Sequence, residues 1–167
     1  MADRMVQTDT LRWLSILLVG LTAWVAFGCS SKPATHSIRG VWQVVERSFT
    51  RNGSTRIETN PQPGLYIFAE RYFSVQEIRE SGPRELFTAE TSDPVRLAAF
   101  DVFHAHSGTY DATDSTLTIV PTLAKSPNSM DGSSYTYRLS YAGDSLKIKR
   151  VSEDGRETRV TTLVRIE

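Results

Sequence analysis

The chain has 167 residues, and its 19 Lys and Arg balance 19 Asp and Glu, so the formal net charge at pH 7 is zero. This length suits one domain and argues against most multi-domain architectures. The charge balance argues against a nucleic-acid partner, because phosphate binding needs a local surplus of basic side chains. A single cysteine excludes an internal disulfide.

The N-terminal segment has the pattern of an export signal. Two arginines precede an uncharged run, Trp13 to Gly28, that ends at Cys29. The run is shorter than the about 20 apolar residues that a transmembrane helix needs, and it suits the apolar region of a secretory signal. Ala26-Phe27-Gly28-Cys29 resembles the lipobox of bacterial lipoproteins, in which Cys29 would receive a diacylglyceryl group and become the mature N-terminus. The alternative is a free thiol at the end of an uncleaved membrane anchor.

The resemblance implies three segments: a signal peptide at 1–28, a lipidated tether at 29–38 and a folded domain at 39–167. The tether is rich in small polar residues and is not expected to pack. Ser30, rather than Asp, follows the cysteine, which in Gram-negative lipoproteins resembles outer-membrane sorting. We therefore expect an exported lipoprotein, anchored to the outer membrane of the bacterial cell envelope and facing the periplasm.

From Gly40 onward most of the sequence has the alternation and composition of β-strands. Asn52-Gly53 is a hairpin signal after the first strand. One stretch breaks this pattern: Asp93-Pro94 is typical of a helix start, and apolar residues then recur at helical spacing. The sequence predicts a three-turn helix that ends near His106.

The C-terminal third predicts two hairpins. Apolar and polar residues alternate between Tyr135 and Tyr141, and a two-residue turn at Gly143-Asp144 would place Leu139 opposite Ile148 and Tyr141 opposite Leu146.

The following turn has two possible registers. A two-residue loop at Asp154-Gly155 would set Ile148 against Thr161. A three-residue loop with a left-handed Gly155 would set Ile148 against Val160. The second register aligns more β-branched and apolar residues with the inner face (Val160, Thr162, Val164 and Ile166), so it is the one predicted, with a glycine bulge at Gly155.

The pattern predicts an all-β fold, an antiparallel up-and-down barrel of about eight to ten strands with one short helix. The eight predicted strands are Val41–Thr50, Leu65–Ala69, Tyr72–Arg79, Ser107–Ala112, Thr116–Leu123, Ser134–Tyr141, Leu146–Val151 and Glu157–Ile166.

Several short motifs resemble those of the lipocalins. Gly40-Val41-Trp42 is similar to the G-x-W that opens the first lipocalin strand, and the remainder is similar to the bacterial lipocalin-like domain over residues 39–167. The other matching motifs are Pro63-Gly64-Leu65-Tyr66-Ile67, Ser107-Gly108-Thr109-Tyr110-Asp111, 127–132 and Asp144-Ser145-Leu146. The resemblance implies a barrel with hydrophobic ligands.

The sequence offers little catalytic chemistry. His104 and His106 would face one side of a strand, as metal ligands do, or lie at a helix C-terminus, where histidine favours the dipole. No third ligand has a recognisable spacing, there is no nucleophile elbow, and no carboxylates pair as acid and base. We therefore predict no metal, no cofactor and no enzyme, with a barrel enzyme or haem protein using these histidines as the alternative.

Aromatic side chains on predicted strands are the candidate ligand-binding residues. They would line a pocket or, alternatively, fill a solid core; they are Trp42, Tyr66, Phe73, Tyr110, Tyr135, Tyr137 and Tyr141. The leading hypothesis is a monomeric, lipid-anchored lipocalin-like protein of the cell envelope that binds or carries a small hydrophobic molecule. The alternative is an envelope interaction protein, an inhibitor or assembly factor, that uses a filled barrel as its scaffold.

Overall fold

The fold is seen in a computed structural model that describes residues 37–167. The predicted signal peptide, Cys29 and most of the tether lie outside the described residues. No helix within 37–167 is long and apolar enough to cross a membrane. The elements are β1 (Gly40–Arg51), β2 (Ser54–Glu58), β3 (Gly64–Phe68), β4 (Tyr72–Ile78), α1 (Asp93–Asp101), β5 (Phe103–Ala112), β6 (Thr116–Ala124), a 3₁₀ helix (Pro127–Met130), β7 (Tyr135–Ala142), β8 (Ser145–Val151) and β9 (Glu157–Arg165).

The strands form one antiparallel sheet in the order β2-β1-β3-β4-β5-β6-β7-β8-β9, and β1 also pairs with β9. The β1–β9 pairing closes eight strands into a barrel, with β2 as an extra strand beyond β1. This confirms the predicted all-β up-and-down barrel with one short helix. Pairing of β1 with β9 removes two free sheet edges that would otherwise invite pairing with other chains, and β2 stays at an edge of the sheet.

The strand β2 was absent from the predicted set, although its turn was recognised. Asn52 and Gly53 both have positive φ, 50° and 79°, and Arg51 pairs with Ser54. Two successive positive φ values are those of a type I′ turn, the usual connection of a tight hairpin. Strand β2 is not one of the eight closed strands. By pairing with β1, it extends the inner face of the sheet beyond the closed barrel.

The β7–β8 hairpin has the predicted register. Leu139 pairs with Ile148 and Tyr141 with Leu146, across a turn in which Gly143 has a φ of 57°. Leu146 is completely buried, and Leu139 and Ile148 are buried beside it. The period-two pattern and the turn chemistry therefore identified the inner face of these two strands correctly.

The predicted register of β8 and β9 is wrong. Ile148 pairs with Thr161, not Val160, and the ladder has no bulge at Gly155. The connection between the two strands has five residues, 152–156, and the Ser152 hydroxyl closes it by accepting a hydrogen bond from the Glu157 N–H at 2.9 Å. Gly155 does have the expected positive φ, 70°. The inner face of β9 therefore carries Arg159, Thr161 and Leu163, while Val160, Thr162 and Val164 fall on the other face and Ile166 lies beyond the strand.

The helix is shorter than predicted. It begins at Asp93, as expected, but ends at Asp101 rather than near His106, and none of its residues is buried. The residues that follow extend β5 instead, because Phe103, His104 and His106 pair with β4. Sheet hydrogen bonds thus override the helical spacing of this stretch.

One end of the barrel is filled by apolar side chains. Trp42 is 1% exposed, and its indole N–H donates to the Ile38 carbonyl at 2.7 Å. Ile38, the last residue of the predicted tether, is 5% exposed and packs in this core. The core is completed by residues from most of the strands: Val44, Phe68, Phe73, Val75, Leu117, Ile119, Leu139, Leu146, Ile148 and Leu163.

Candidate functional site

The other half of the barrel encloses a cavity of about 430 Å³ that opens to solvent. Its floor is the upper surface of the apolar core, formed by Phe68, Phe73, Val75, Leu117, Ile119 and Ile148. Toward the open end, polar and charged side chains take the place of apolar ones on the inner face of the strands. A cavity of this size, with an apolar floor and a few polar groups above it, is typical of a small-molecule site.

The structure brings together four of the seven predicted aromatic residues. Tyr66, Phe73, Tyr135 and Tyr137 line the cavity. These residues lie on the inner face of β3, β4 and β7. They stand at the height in the barrel where the apolar core ends and the cavity begins.

The other three predicted aromatic residues lie away from the cavity. Trp42 belongs to the filled end, and the Arg165 guanidinium stacks on its ring at 4.1 Å. The Tyr110 hydroxyl donates to the Ala69 carbonyl at 2.6 Å. Tyr141 packs against the core opposite Leu146. These residues also face inward, but at the end of the barrel where no space remains.

A buried carboxylate organises one wall of the cavity. Glu77 is 3% exposed, and its carboxylate lies 2.5 Å from Arg79 Nε and 3.4 Å from Arg47 Nη2. The Tyr66 hydroxyl donates to the same carboxylate at 3.3 Å. Burial alone would raise the pKa of Glu77, but the guanidinium of Arg79, and then that of Arg47, outweigh it and hold the pKa below its usual value. Glu77 is therefore ionised at neutral pH.

Arg47 is the second member of this wall. Its side chain is 16% exposed, and its Nη1 lies 3.6 Å from Glu58 Oε2. Its Nε and Nη1 atoms are buried and make no hydrogen bond to any residue of the described part of the chain. Buried guanidinium donors are costly when they lack acceptors, so Arg47 depends on its neighbouring carboxylates, Glu58 and Glu77, to offset its burial.

Two histidines share the same wall. His104 and His106 lie next to each other on the inner face of β5, with ring centroids 4.7 Å apart, and pair with Glu77 and Val75 of β4. Burial, and next the nearby Arg79, lower the pKa of each to about 4. Both imidazoles are therefore neutral at neutral pH. Within residues 37–167, no group of three or more His, Cys, Asp or Glu is arranged to hold a metal ion.

The tyrosine hydroxyls of the cavity remain protonated over the physiological pH range. Burial, and next the Glu77 carboxylate, raise the pKa of Tyr66 well above its usual value. Burial also raises the pKa of Tyr137. These residues therefore offer neutral O–H groups, which can donate to or accept from a guest molecule.

Sequence reasoning missed the arginines of the cavity. Five of them line it, against three glutamates (Glu58, Glu77 and Glu80); they are Arg47, Arg56, Arg79, Arg150 and Arg159. One signal could have found Arg150, because it follows Ile148 by two residues and therefore shares its face. The cavity is thus positively charged in a chain whose formal charge is zero.

A second feature lies outside the barrel, between β4 and β5. Several large apolar side chains are exposed there, including Leu86 at 92%, Leu97 at 59% and Phe100 at 55%. Arg96 lies over the Phe87 ring at 5.3 Å, and Lys125 lies over the Phe100 ring at 4.0 Å. Exposed apolar side chains that are grouped in this way form an apolar patch, unlike the single scattered apolar residues of an ordinary protein surface.

The chain is similar to known proteins in structure rather than in sequence. No protein-family model and no curated protein matches the sequence. A crystal structure of a lipocalin-like protein from Bacteroides uniformis is 12% identical to this chain over 77% of its length and 97% of the other chain, with a TM-score of 0.43. An eight-stranded up-and-down barrel, closed by β1 and β9, is the architecture of lipocalins. On that strand order, the fold is lipocalin-like.

Proposed function

We propose that this protein binds or carries a small, largely hydrophobic molecule in the open half of its barrel. One observation carries the proposal: a cavity of about 430 Å³ above an apolar floor, in a barrel whose other half is completely filled. A purely structural barrel of this size has no need for an open interior, because its side chains can fill it. We propose binding without catalysis.

The expected affinity is moderate. Burying about 300 Å² of apolar ligand surface would contribute about 7 kcal/mol at 25 cal/mol/Å², before the cost of association is subtracted. The affinity that follows is about micromolar or weaker for a ligand held by apolar contacts alone. Polar contacts to the lining would have to supply any further affinity.

We also propose that the protein is exported and lipid-anchored in the cell envelope through Cys29. Support comes from the sequence: the short uncharged run, the small residues before the cysteine and the polar tether behind it. Such an anchor would place the cavity close to a membrane, which is a source of hydrophobic molecules.

Binding is tested with the neutral fluorescent dye N-phenyl-1-naphthylamine and a matched pair of variants. Thr161 faces the cavity and Thr162 lies on the other face of the same strand. The full chain is titrated in zwitterionic phosphatidylcholine vesicles. We expect saturable dye binding by the wild type and by Thr162→Trp, and loss of that component in Thr161→Trp. Equal fluorescence in all three folded proteins would refute the proposal.

Partner binding is a second candidate, favoured by the exposed apolar side chains around α1. An interaction protein would use these residues rather than the cavity. A double substitution, Leu86→Ser with Phe100→Ser, should then abolish capture of an envelope partner and leave dye binding unchanged. The opposite result, in which only the cavity variant has a phenotype in cells, would favour ligand carriage.

A further inference from the structure

A transverse row of inward-facing residues crosses the mouth of the cavity. Arg56 of β2 pairs with Phe49 of β1, Phe49 pairs with Arg159 of β9, and Arg159 pairs with Arg150 of β8. All four residues line the cavity. We call Arg56, Arg150 and Arg159 the mouth arginines.

The mouth arginines differ from the two other arginines of the cavity, Arg47 and Arg79. Arg47 and Arg79 are balanced by Glu77, as described above. Among residues 37–167, the side chains of Arg150 and Arg56 form no ion pair and donate no hydrogen bond. Arg159 has one ion pair, at 3.7 Å to Glu157, which it shares with Arg51 at 3.2 Å. The positive charge of the row is therefore mostly uncompensated.

The directly opposed pair of Arg150 and Arg159 is the least favourable part of this row. Like charges at directly opposite positions of neighbouring strands destabilise a sheet. The two guanidinium groups are nevertheless held toward the cavity, because Arg150 lies over the Tyr135 ring at 5.2 Å and Arg159 over the Phe49 ring at 5.1 Å. An anion between them would offset the repulsion and accept hydrogen bonds from both forks.

We propose that the ligand of this cavity is an amphipathic anion, whose acidic group binds between Arg150 and Arg159 while its apolar body lies on the cavity floor. The inference rests on the proposed ligand-binding function and adds the chemical class of the ligand. Ile148 of the floor precedes Arg150 by two residues, which separates them by about 7 Å along the strand. The acidic group therefore faces the mouth and the apolar body points inward.

Two dyes with the same apolar body test this inference. N-phenyl-1-naphthylamine is neutral, and 8-anilino-1-naphthalenesulfonate is the same molecule with one sulfonate. Both are titrated into the full chain in zwitterionic phosphatidylcholine vesicles, with Thr161→Trp as the blank for dye in lipid. The variants are Arg150→Gln and Lys149→Gln. Lys149→Gln removes one positive charge from the same strand, as Arg150→Gln does, but Lys149 is exposed and does not line the cavity.

We expect the wild type to bind the sulfonate more tightly than the neutral dye. Arg150→Gln should weaken sulfonate binding by about tenfold, the value of one charge-assisted hydrogen bond of roughly 1.5 kcal/mol. Its binding of the neutral dye should stay within twofold, and Lys149→Gln should change neither. Added salt should weaken sulfonate binding selectively.

Different outcomes overturn the two proposals. If the neutral dye binds but Arg150→Gln leaves sulfonate affinity unchanged, or weakens both dyes equally, the acidic group is not held by this pair and the inference fails while ligand binding stands. If neither dye binds the wild type in a saturable way, ligand binding itself fails. Should Arg150→Gln not fold, as judged by its melting temperature, Arg159→Gln is held to the same expectations.

Discussion

The carboxylate of Glu77 is predicted to be the most important single charge for the stability of this protein. Substitution by Gln keeps the shape of the side chain and removes the charge. Arg79 is 44% exposed and can turn toward water, but Arg47 is only 16% exposed and cannot do so without opening the wall. The variant therefore leaves a buried guanidinium with Glu58, 3.6 Å away, as its remaining carboxylate.

The magnitude follows from the burial of this pair. Removing one partner of a buried ion pair costs about 3 to 5 kcal/mol, because the other charge remains desolvated. That is a large fraction of the about 5 to 15 kcal/mol by which a domain is stable. For a domain of this size, the melting temperature should fall by roughly 10 to 20 °C.

The assay is urea or thermal unfolding of the wild type and Glu77→Gln, followed by circular dichroism. Glu58→Gln is the matched control, because Glu58 meets the same arginine but is 23% exposed and at a longer distance. We expect the free energy of unfolding of Glu58→Gln to fall by less than about 1 kcal/mol, which is typical when a partly exposed ion pair is removed. A double substitution, Glu77→Leu with Arg47→Met, should recover part of the loss by removing both buried charges.

If Glu77→Gln lowers the free energy of unfolding by less than about 1 kcal/mol, the claim that it leaves a desolvated arginine is refuted. It would mean that Arg47 is solvated through the cavity and pays no desolvation penalty when its partner is neutralised. A double variant less stable than Glu77→Gln alone would also contradict it, since the buried arginine would then be favourable without its carboxylate.

Further predictions concern other parts of the molecule. Tyr137→Ala should lower the free energy of unfolding by much less than the about 3 to 5 kcal/mol that the same change costs in a filled core, because Tyr137 borders open space. A loss of that full size in urea unfolding would show that the space around Tyr137 is filled. Because the pKa of His104 and His106 is lowered from 6.5 to about 4, the unfolded chain binds protons first; stability should therefore fall as the pH drops from 6.5 toward 4, and less so in a double His→Gln variant. Gly108→Ala should be strongly destabilising in thermal unfolding, since a Cβ would overlap the backbone of β6; an unchanged melting temperature would refute this close approach. Cys29→Ser should abolish palmitate labelling and release the protein from the membrane fraction or leave it uncleaved, and continued labelling would disprove lipidation there.

Much of the barrel could be predicted because its determinants are local. A tight turn specifies its own register, so Gly143-Asp144 determined the β7–β8 hairpin through the backbone conformation that these residues favour. Asn52-Gly53 located a turn in the same way, although the strand that follows it was not predicted. Alternation over seven residues identified the inner face of β7 in the same way. Asp93-Pro94 likewise located the start of α1, since a proline in the first turn has a φ that already suits a helix and its missing N–H is not needed there.

Apart from Arg150, which shares the face of Ile148, local patterns give little sign of the charged lining of the cavity. An arginine on a strand ordinarily faces water, so the alternation of apolar and polar residues along a strand predicts an apolar interior and a polar exterior. In a hollow barrel the interior is itself partly wet, and Glu77, Arg47 and Arg150 face it. The same assumption produced the wrong register for β9, because it favoured placing valines inside where Thr161 and Arg159 lie.

The sequence by itself determined the fold class, most strand positions and which aromatic residues face inward, because each depends on contacts between neighbours in the chain or across one turn. Only the tertiary structure decided how far the interior is filled. Whether an inward aromatic such as Trp42 packs in the core, or one such as Tyr137 borders a cavity, depends on its height along the barrel axis. That height is set by the stagger of eight paired strands and by closure of β1 on β9, which are properties of the whole sheet.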